Sequence, residues 1–244
     1  MLDLTLDIIM PVFINENETL FLTQAAVDSF KNTDWKFRLI IIDNNSKLGG
    51  GYLREVADLY LREKENVGYP KAVNDGLKLS TSHIVAVANN DIQVSPNIFN
   101  VAREVLYDEG ADSVHFRMVP YTDDFSYGKD VWMKGKERWC SSSFFCMRNY
   151  DYIRYDEGYG LGGFDDWDFW HNFRHYYNKV TAYTNRACYR HDDSHTLNKL
   201  DQNERAKRDK KNREYFKEKW GSYPEDIWME KYPEQMKEPW KPFP

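Results

Sequence analysis

From its start to about residue 110 the chain alternates short apolar runs with amphipathic segments. Leu6 to Phe13, built on Ile8-Ile9-Met10-Pro11-Val12-Phe13, reads as a buried strand with Pro11 near its exit, where a ladder tolerates a missing donor. Asn17 is the predicted cap of a helix that carries Leu22, Ala26, Val27 and Phe30 on one face. Phe37 to Ile42 is a second buried strand, ending in Asp43-Asn44-Asn45-Ser46. Leu53, Val56, Ala57, Tyr60 and Leu61 follow the i, i+3, i+4, i+7, i+8 template and predict a helix. A turn from Glu65 to Pro70 leads into a short helix with Lys71, Val73, Asn74 and Leu77. His83 to Ala88 is the most continuous apolar run, and it stops at Asn89-Asn90-Asp91. Ile98, Val101, Ala102, Val105 and Leu106 restore the helical period. Runs without alternation suit strands covered on both faces. Strands alternating with helices at this spacing predict right-handed βαβ units, hence an α/β fold with a Rossmann-like, mostly parallel central sheet flanked by helices.

Past about residue 110 the pattern changes. Ser113 to Val119 alternates like a strand with one wet face, Tyr121 to Arg138 reads as a loop, and Ser142 to Met147 is another strand candidate. Gly158, Gly160, Gly162 and Gly163 let a backbone approach a ligand closely, and the Asp165-Asp166-Trp167-Asp168 that follows favours a helix start. Asn203 to Trp220 is a charged helix closing at Gly221, and Ser222 to Pro244 reads as an extended tail.

Composition narrows the class. A chain of 244 residues is expected to form one domain with an appendage. A net charge of -6 gives no global reason to expect nucleic acid. Locally, Arg205, Lys207, Arg208, Lys210, Lys211 and Arg213 offer a contact to phosphates of nucleic acid or of an anionic membrane; the plainer alternative is a solvated helix face. Cys140, Cys146 and Cys188 are too few for a disulfide framework, although with His191 they leave a structural zinc site open as an alternative. No apolar run approaches the roughly 18 to 20 residues of a membrane span, and Asp3 and Asp7 argue against a signal peptide. The expectation is a soluble cytoplasmic protein, at most peripheral to a membrane surface.

Ligands of parallel sheets gather beyond the carboxyl ends of the strands, so Asn89-Asn90-Asp91 stands where a hard cation and a phosphate can meet. Taken alone, the tripeptide is equally a turn. It does not stand alone. Pro11-Val12-Phe13, Ile42-Asp43-Asn44-Asn45-Ser46, Asn66-Val67-Gly68-Tyr69 with Asn74 and Gly76, and Asn89-Asn90-Asp91 with Pro96 follow one another at intervals that closely resemble the nucleotide-sugar half of family 2 glycosyltransferases. The resemblance is strongest to the rhamnosyltransferase-like branch. It resumes at Gly162-Gly163-Phe164-Asp165-Asp166-Trp167-Asp168 with Arg174, and again near His191 and Lys219-Trp220-Gly221.

The resemblance implies a GT-A fold in which residues 1–110 bind the nucleotide sugar, 111–200 carry the acceptor side and the base, and 201–244 form a helix and tail. It implies an inverting transfer of a sugar from a nucleoside diphosphate, UDP or dTDP favoured, to a hydroxyl, with Mn²⁺ or Mg²⁺ at Asp91 and His191. His195 is the rival to His191. Asp43 is the carboxylate that would accept from the base imide, and Pro11, Phe13, Asn45, Asn66, Gly68, Asn74, Asn89 and Asn90 belong to the same donor side. Lys71 would approach the diphosphate and Glu16 the ribose. Asp166, beside Asp165, would be the base, and Gly162, Gly163, Trp167 and Asp168 would meet the acceptor. The acceptor itself is open among a polysaccharide, a lipid-linked sugar, a protein and a modified DNA base. A nucleotidyltransferase making nucleotide sugars is the main alternative, but it calls for a basic glycine-rich loop after the first strand, which Pro11 to Thr19 does not offer. Retention of Asp91 and Asp166 speaks against a non-catalytic binding module.

Overall fold

The computed structural model describes residues 4–120, 125, 131–133, 141–192 and 202–231, with the side chains of 131–133 and 228–231 left aside. Strands β1 (Leu6–Val12), β2 (Arg38–Asp43), β3 (Leu59–Arg62) and β4 (Ile84–Ala88) run parallel in the order β3-β2-β1-β4. Helix α1 (Asn17–Lys31) links β1 to β2, α2 (Gly50–Val56) precedes β3, and α3 (Tyr69–Leu79) leads into β4. After β5 (Ile92–Val94) and α4 (Ile98–Arg103, continued by a π-turn at Glu104–Asp108) come β6 (Ser113–Met118), β7 (Val131–Met133) and β8 (Phe144–Arg148). Then follow α5 (Asp165–His171), β9 (Thr181–His191), α6 (Gln202–Trp220) and α7 (Pro224–Lys231). The sheet continues as β4-β8-β6-β9-β5, with β7 on β9.

Successive strand residues face opposite sides, so the central strands bury two separate apolar layers. Ile8, Met10, Leu39, Ile41 and Ala86 pack with Val27 and Phe30 of α1 and Phe99 of α4. Ile9, Ile40, Ile42, Val85 and Val87 pack with Val73 and Leu77 of α3 and with Phe169 and Phe173 around α5. Helix α3 lies so close to the sheet that a Cβ on Gly76 would stand 2.3 Å from Ile9 Cγ2. Connections leave β1 in one direction toward β2, while β4 lies on its other side; the switch point of the sheet falls between β1 and β4. There the strands also part. Pairing of β1 with β4 ends at Ile9↔Val87, whereas β1 with β2 runs on to Val12↔Asp43.

Several sequence expectations are corrected. Tyr60 and Leu61 are not helical: α2 stops at Val56, and Leu59–Arg62 pairs with β2, because parallel pairing and side-chain bonds to Asp43 outweigh the local helical period. Asn17 is the first helical residue; Glu16 occupies the cap position with extended backbone. The β6 strand is buried on both faces from Ser113 to Phe116, since Val114 and Phe116 join one apolar layer while His115 packs on Trp170 of α5 on the other side. The eleven-residue β9 carries no apolar run and escapes the pattern. Part of the supposed extended tail is helix α7. The Tyr121 to Arg138 loop, apart from Phe125 and 131–133, and the tail from 232 lie outside the described residues, as do His195 and Cys140.

Candidate active site

Asp91 stands three residues past the end of β4, immediately before β5, near the switch point. It is 9% exposed, and its Oδ1 is buried without a hydrogen bond among the described residues. His191 Nε2 lies 3.2 Å from that oxygen. The register explains the meeting: β5 pairs antiparallel with β9 through Ile92↔His191, and Asp192 N–H donates to the Asp91 carbonyl at 3.0 Å. Two donors bound at right angles to one ion of Mg²⁺ size stand about 3 Å apart. An orphaned carboxylate oxygen and an imidazole nitrogen at this separation therefore fit a divalent cation with oxygen and nitrogen preferences. Among the described residues no third His, Cys, Asp or Glu joins them. The zinc alternative does not assemble there: Cys146 and Cys188 are buried free thiols in β8 and β9, the first pushed far up and the second up to about 11 by burial.

The donor-side residues divide. Asp43, 0% exposed, accepts from Ser46 N–H at 2.7 Å on Oδ1 and from Tyr60 O–H and Arg62 Nη1 on Oδ2. Arg62 also reaches Asn45 Oδ1 at 3.0 Å, and Asn45 has the left-handed φ of 64° that this turn requires. Sequence reasoning missed Tyr60 and Arg62 because it placed them on or beyond a helix. Pro11 is buried, Phe13 half-buried and Glu16 exposed, in chain order out of β1 toward α1. Asn66 Oδ1 accepts from Gly68 N–H at 3.0 Å, shaping the turn into α3. Lys71 is ion-paired with Asp75 one helical turn on. Asn89 is anchored by its backbone N–H on the Ser143 carbonyl at 2.8 Å. Two of these side chains bond within the protein. Asn74 is buried, with its amide bracketing the Tyr155 backbone at 2.9 and 2.8 Å and reaching Glu157, so it ties α3 to the acceptor half. Asn90 Nδ2 donates to Thr23 Oγ1 at 2.8 Å and ties β4 to α1.

On the acceptor side, Gly162 and Gly163 have φ of 105° and 95°, which a side chain would strain. Gly163 N–H donates to Asp165 Oδ1 at 2.5 Å. Asp166 is half-exposed and its Oδ1 accepts from Trp167 N–H at 2.9 Å. Burial pushes Asp165 up to about 6, against the pull of Gly163 N–H and Arg208; burial and then the Asp165 charge push Asp166 up to about 7. Trp167 is half-buried beside them. Asp168 is 1% exposed, and Lys219 Nζ at 2.9 Å and Trp220 Nε1 at 2.7 Å occupy its carboxylate. Arg174 is buried behind α5, its guanidinium 6.0 Å from the Trp170 ring.

The two sides converge on Tyr69, the first residue of α3. Its hydroxyl donates to the Ser142 carbonyl at 2.6 Å. Burial first, then the charges of Asp165, Asp166 and Asp91, hold that hydroxyl well above its ordinary value. The preceding residue closes the join. A Cβ on Gly68 would stand 2.0 Å from the Gly160 carbonyl oxygen, so the donor-side turn touches the glycine-rich loop. The sequence motif Asn66-Val67-Gly68-Tyr69 includes Tyr69 but gives it no role, because an aromatic beside a Gly-Pro turn reads as packing. The basic residues of α6 are largely paired within the protein: Arg205 and Arg208 with Asp209, Lys207 with Glu204, Arg213 with Glu225. Lys210 and Lys211 are exposed.

Residues 7–181 match the glycosyl transferase family 2, and the chain belongs to that family. With its sheet and flanking helices it has the GT-A fold. Solved structures similar to it include S. aureus TarS 1–349, with a TM-score of 0.61 at 13% identity over 78% of this chain and 61% of that one. The same fragment in complex with UDP-GlcNAc gives a TM-score of 0.61 at 13% identity over 81% and 61%. GalNAc-T7 with UDP, GalNAc and Mn²⁺ gives 0.59 at 11% identity over 77% and 44%. The chain thus spans less than two thirds of the length of these proteins. No curated protein sequence matches it. Among the described residues, no helix is long and apolar enough to cross a membrane.

Proposed function

We propose that this chain transfers a sugar, with inversion, from a nucleoside diphosphate with a uracil or thymine base to an acceptor hydroxyl. The observation that supports the reading is geometric: His191 Nε2 stands 3.2 Å from Asp91 Oδ1 past the end of β4, and the Gly68-Tyr69 turn packs on the glycine loop that leads into Asp165-Asp166, a Cβ on Gly162 standing 3.8 Å from Tyr69 Cβ. Family membership favours the transferase over the nucleotidyltransferase. TarS with UDP-GlcNAc and GalNAc-T7 with UDP and Mn²⁺ support the donor class and the metal. The motifs of the sequence support the rhamnosyltransferase-like branch and a role in polysaccharide or other glycoconjugate synthesis.

In this reading Asp166 is the base, because it is the half-exposed member of the pair while Asp165 Oδ1 is turned to the Gly163 N–H. Asp166 takes the acceptor proton as the hydroxyl oxygen bonds to the anomeric carbon. The bond from that carbon to the diphosphate oxygen breaks on the opposite face, which inverts the centre. A carboxylate raised toward neutrality is matched to such proton transfer. Asp91 and His191 would hold Mn²⁺ or Mg²⁺, which supplies neutralisation of the leaving diphosphate. Asp43, fixed by Ser46, Tyr60 and Arg62, stands as the rigid edge for the base.

Thermal shift with UDP, dTDP, GDP and CMP and their sugars tests the reading, since a ligand of the native state stabilises it by mass action. A uracil or thymine nucleotide stabilises the protein in the presence of Mn²⁺, and EDTA removes the shift. A guanine or cytosine nucleotide winning, or no nucleotide binding, would overturn it.

A further inference from the structure

The charged α6 has an organised face. Arg208, Asn212, Tyr215 and Lys219 recur at helical spacing, and each meets the segment that leads into α5 or α5 itself. Asn212 is 3% exposed, and its single amide nitrogen lies 3.0 Å from the carbonyl oxygens of Tyr159, Gly162 and Gly163. Gly160, Gly162 and Gly163 have left-handed backbone, and of the three carbonyls Tyr159's also accepts from Gly162 N–H at 3.2 Å. Arg208 lies against the same turn: a Cβ on Gly163 would stand 3.5 Å from its Nε. Tyr215 O–H bonds Asp156 at 3.1 Å, and Lys219 and Trp220 hold Asp168. One helix therefore grips the turn before the acidic pair and the helix after it.

We propose that α6 is the positioning element of the acidic pair: Asn212, its principal contact, gathers the carbonyls of the glycine turn, Arg208 packs on Gly163 as a second contact, and together they fix the direction in which Asp165 and Asp166 enter the cleft. The inference rests on Asp166 as the base. It goes beyond that reading in giving the C-terminal helix a part in catalysis without touching either substrate. The donor side is held mainly through β1, β2 and α3, and meets the glycine loop only where Gly68 faces Gly160 and Asn74 holds Tyr155, so loss of α6 contacts is expected to weigh on turnover far more than on donor binding.

The test uses the full chain with Mn²⁺ and a panel of UDP- and dTDP-linked glucose, galactose, rhamnose and N-acetylglucosamine, reading release of the nucleoside diphosphate and, by calorimetry, affinity for UDP and dTDP. Asn212→Leu keeps the volume and removes the donors; Asn212→Gln keeps the donors; Arg208→Gln removes the second contact. Asn212→Leu and Arg208→Gln are expected to lower kcat about tenfold while donor KM and nucleotide affinity stay within about twofold, with Asn212→Gln recovering most of the loss. Unchanged kcat, or kcat and donor affinity falling together, overturns the role of α6. Should Asn212→Leu fail to fold, Arg208→Gln decides by the same criteria. A wild-type chain that turns over none of the panel overturns the transferase reading and this inference together, whereas an active wild type matched by its variants removes this inference alone.

Discussion

His191 Nε2 stands 3.2 Å from Asp91 Oδ1, brought there by the pairing of β5 with β9. That carboxylate oxygen is buried and lacks a hydrogen bond among the described residues, an arrangement whose cost a bound cation offsets. Asp91→Ala is expected to weaken nucleotide binding in Mn²⁺ by about tenfold or more, roughly 1.4 kcal/mol, and to leave metal-free binding unchanged. Calorimetry with and without EDTA checks this; equal losses in both conditions would assign Asp91 to the fold.

The Asp165-Asp166 pair predicts a pH signature in both rate and stability. With Asp166 at about 7, turnover falls as pH drops below that value, because the base is then protonated. Stability runs the other way. The folded state keeps a proton that the unfolded chain has lost above its ordinary carboxylate value, so this contribution is full in acid and declines as pH rises through the folded values of about 6 and about 7. Asp166→Asn removes that loss: its melting temperature exceeds that of wild type at pH 8, and the difference shrinks toward pH 5. It retains nucleotide binding and loses transfer.

Gly68→Ala tests the join between the halves. With φ at 87° and the Gly160 carbonyl 2.0 Å from the added carbon, the backbone must shift on both sides. A cost of at least about 1–3 kcal/mol follows from the conformation alone. Melting temperature and nucleotide affinity should fall together, and a neutral variant would contradict the contact.

Asp168→Ala leaves Trp220 Nε1 without its acceptor and Lys219 with Asp156 alone. Breaking a buried pair costs about 3–5 kcal/mol, and the partial exposure of Lys219 puts this one toward the lower end. Denaturant unfolding measures the loss. A variant as stable as wild type that fails only in acceptor use would assign Asp168 to the acceptor side.

Three of the four parallel strands, β1, β2 and β4, are legible because their apolar runs are pure enough to be read without context; Asp91 stands just past the last of them and Asp166 in the first turn of α5. The β3 edge is not: Leu53 to Leu61 satisfies a helical period, and only pairing with β2 and the attraction of Asp43 for Tyr60 and Arg62 turn its second half into a strand. Asn74, Asn90 and Asp168 stand in the motifs as candidate ligand contacts, and within the protein they bond Tyr155, Thr23 and Trp220. A linear pattern shows that a polar residue is placed with care and is silent on whether its partner is a substrate or another part of the chain. The basic run of α6 is similar, since its acidic partners include Glu225 on a separate helix.

The pairing of β6 with β9 jumps from Phe116↔Thr184 to Arg117↔Cys188, so the intervening residues of β9 loop out of the ladder. Ahead of that irregularity β9 is clasped by β7; after it, by β5. The kink works as a local tuning joint: lengthening or shortening it by one residue would flip the distal rungs to the other face and swing the imidazole away from its carboxylate, leaving the proximal rungs untouched. Under the proposed reading, the spacing of that imidazole and carboxylate is set by a bulge a few residues before His191 on the same strand.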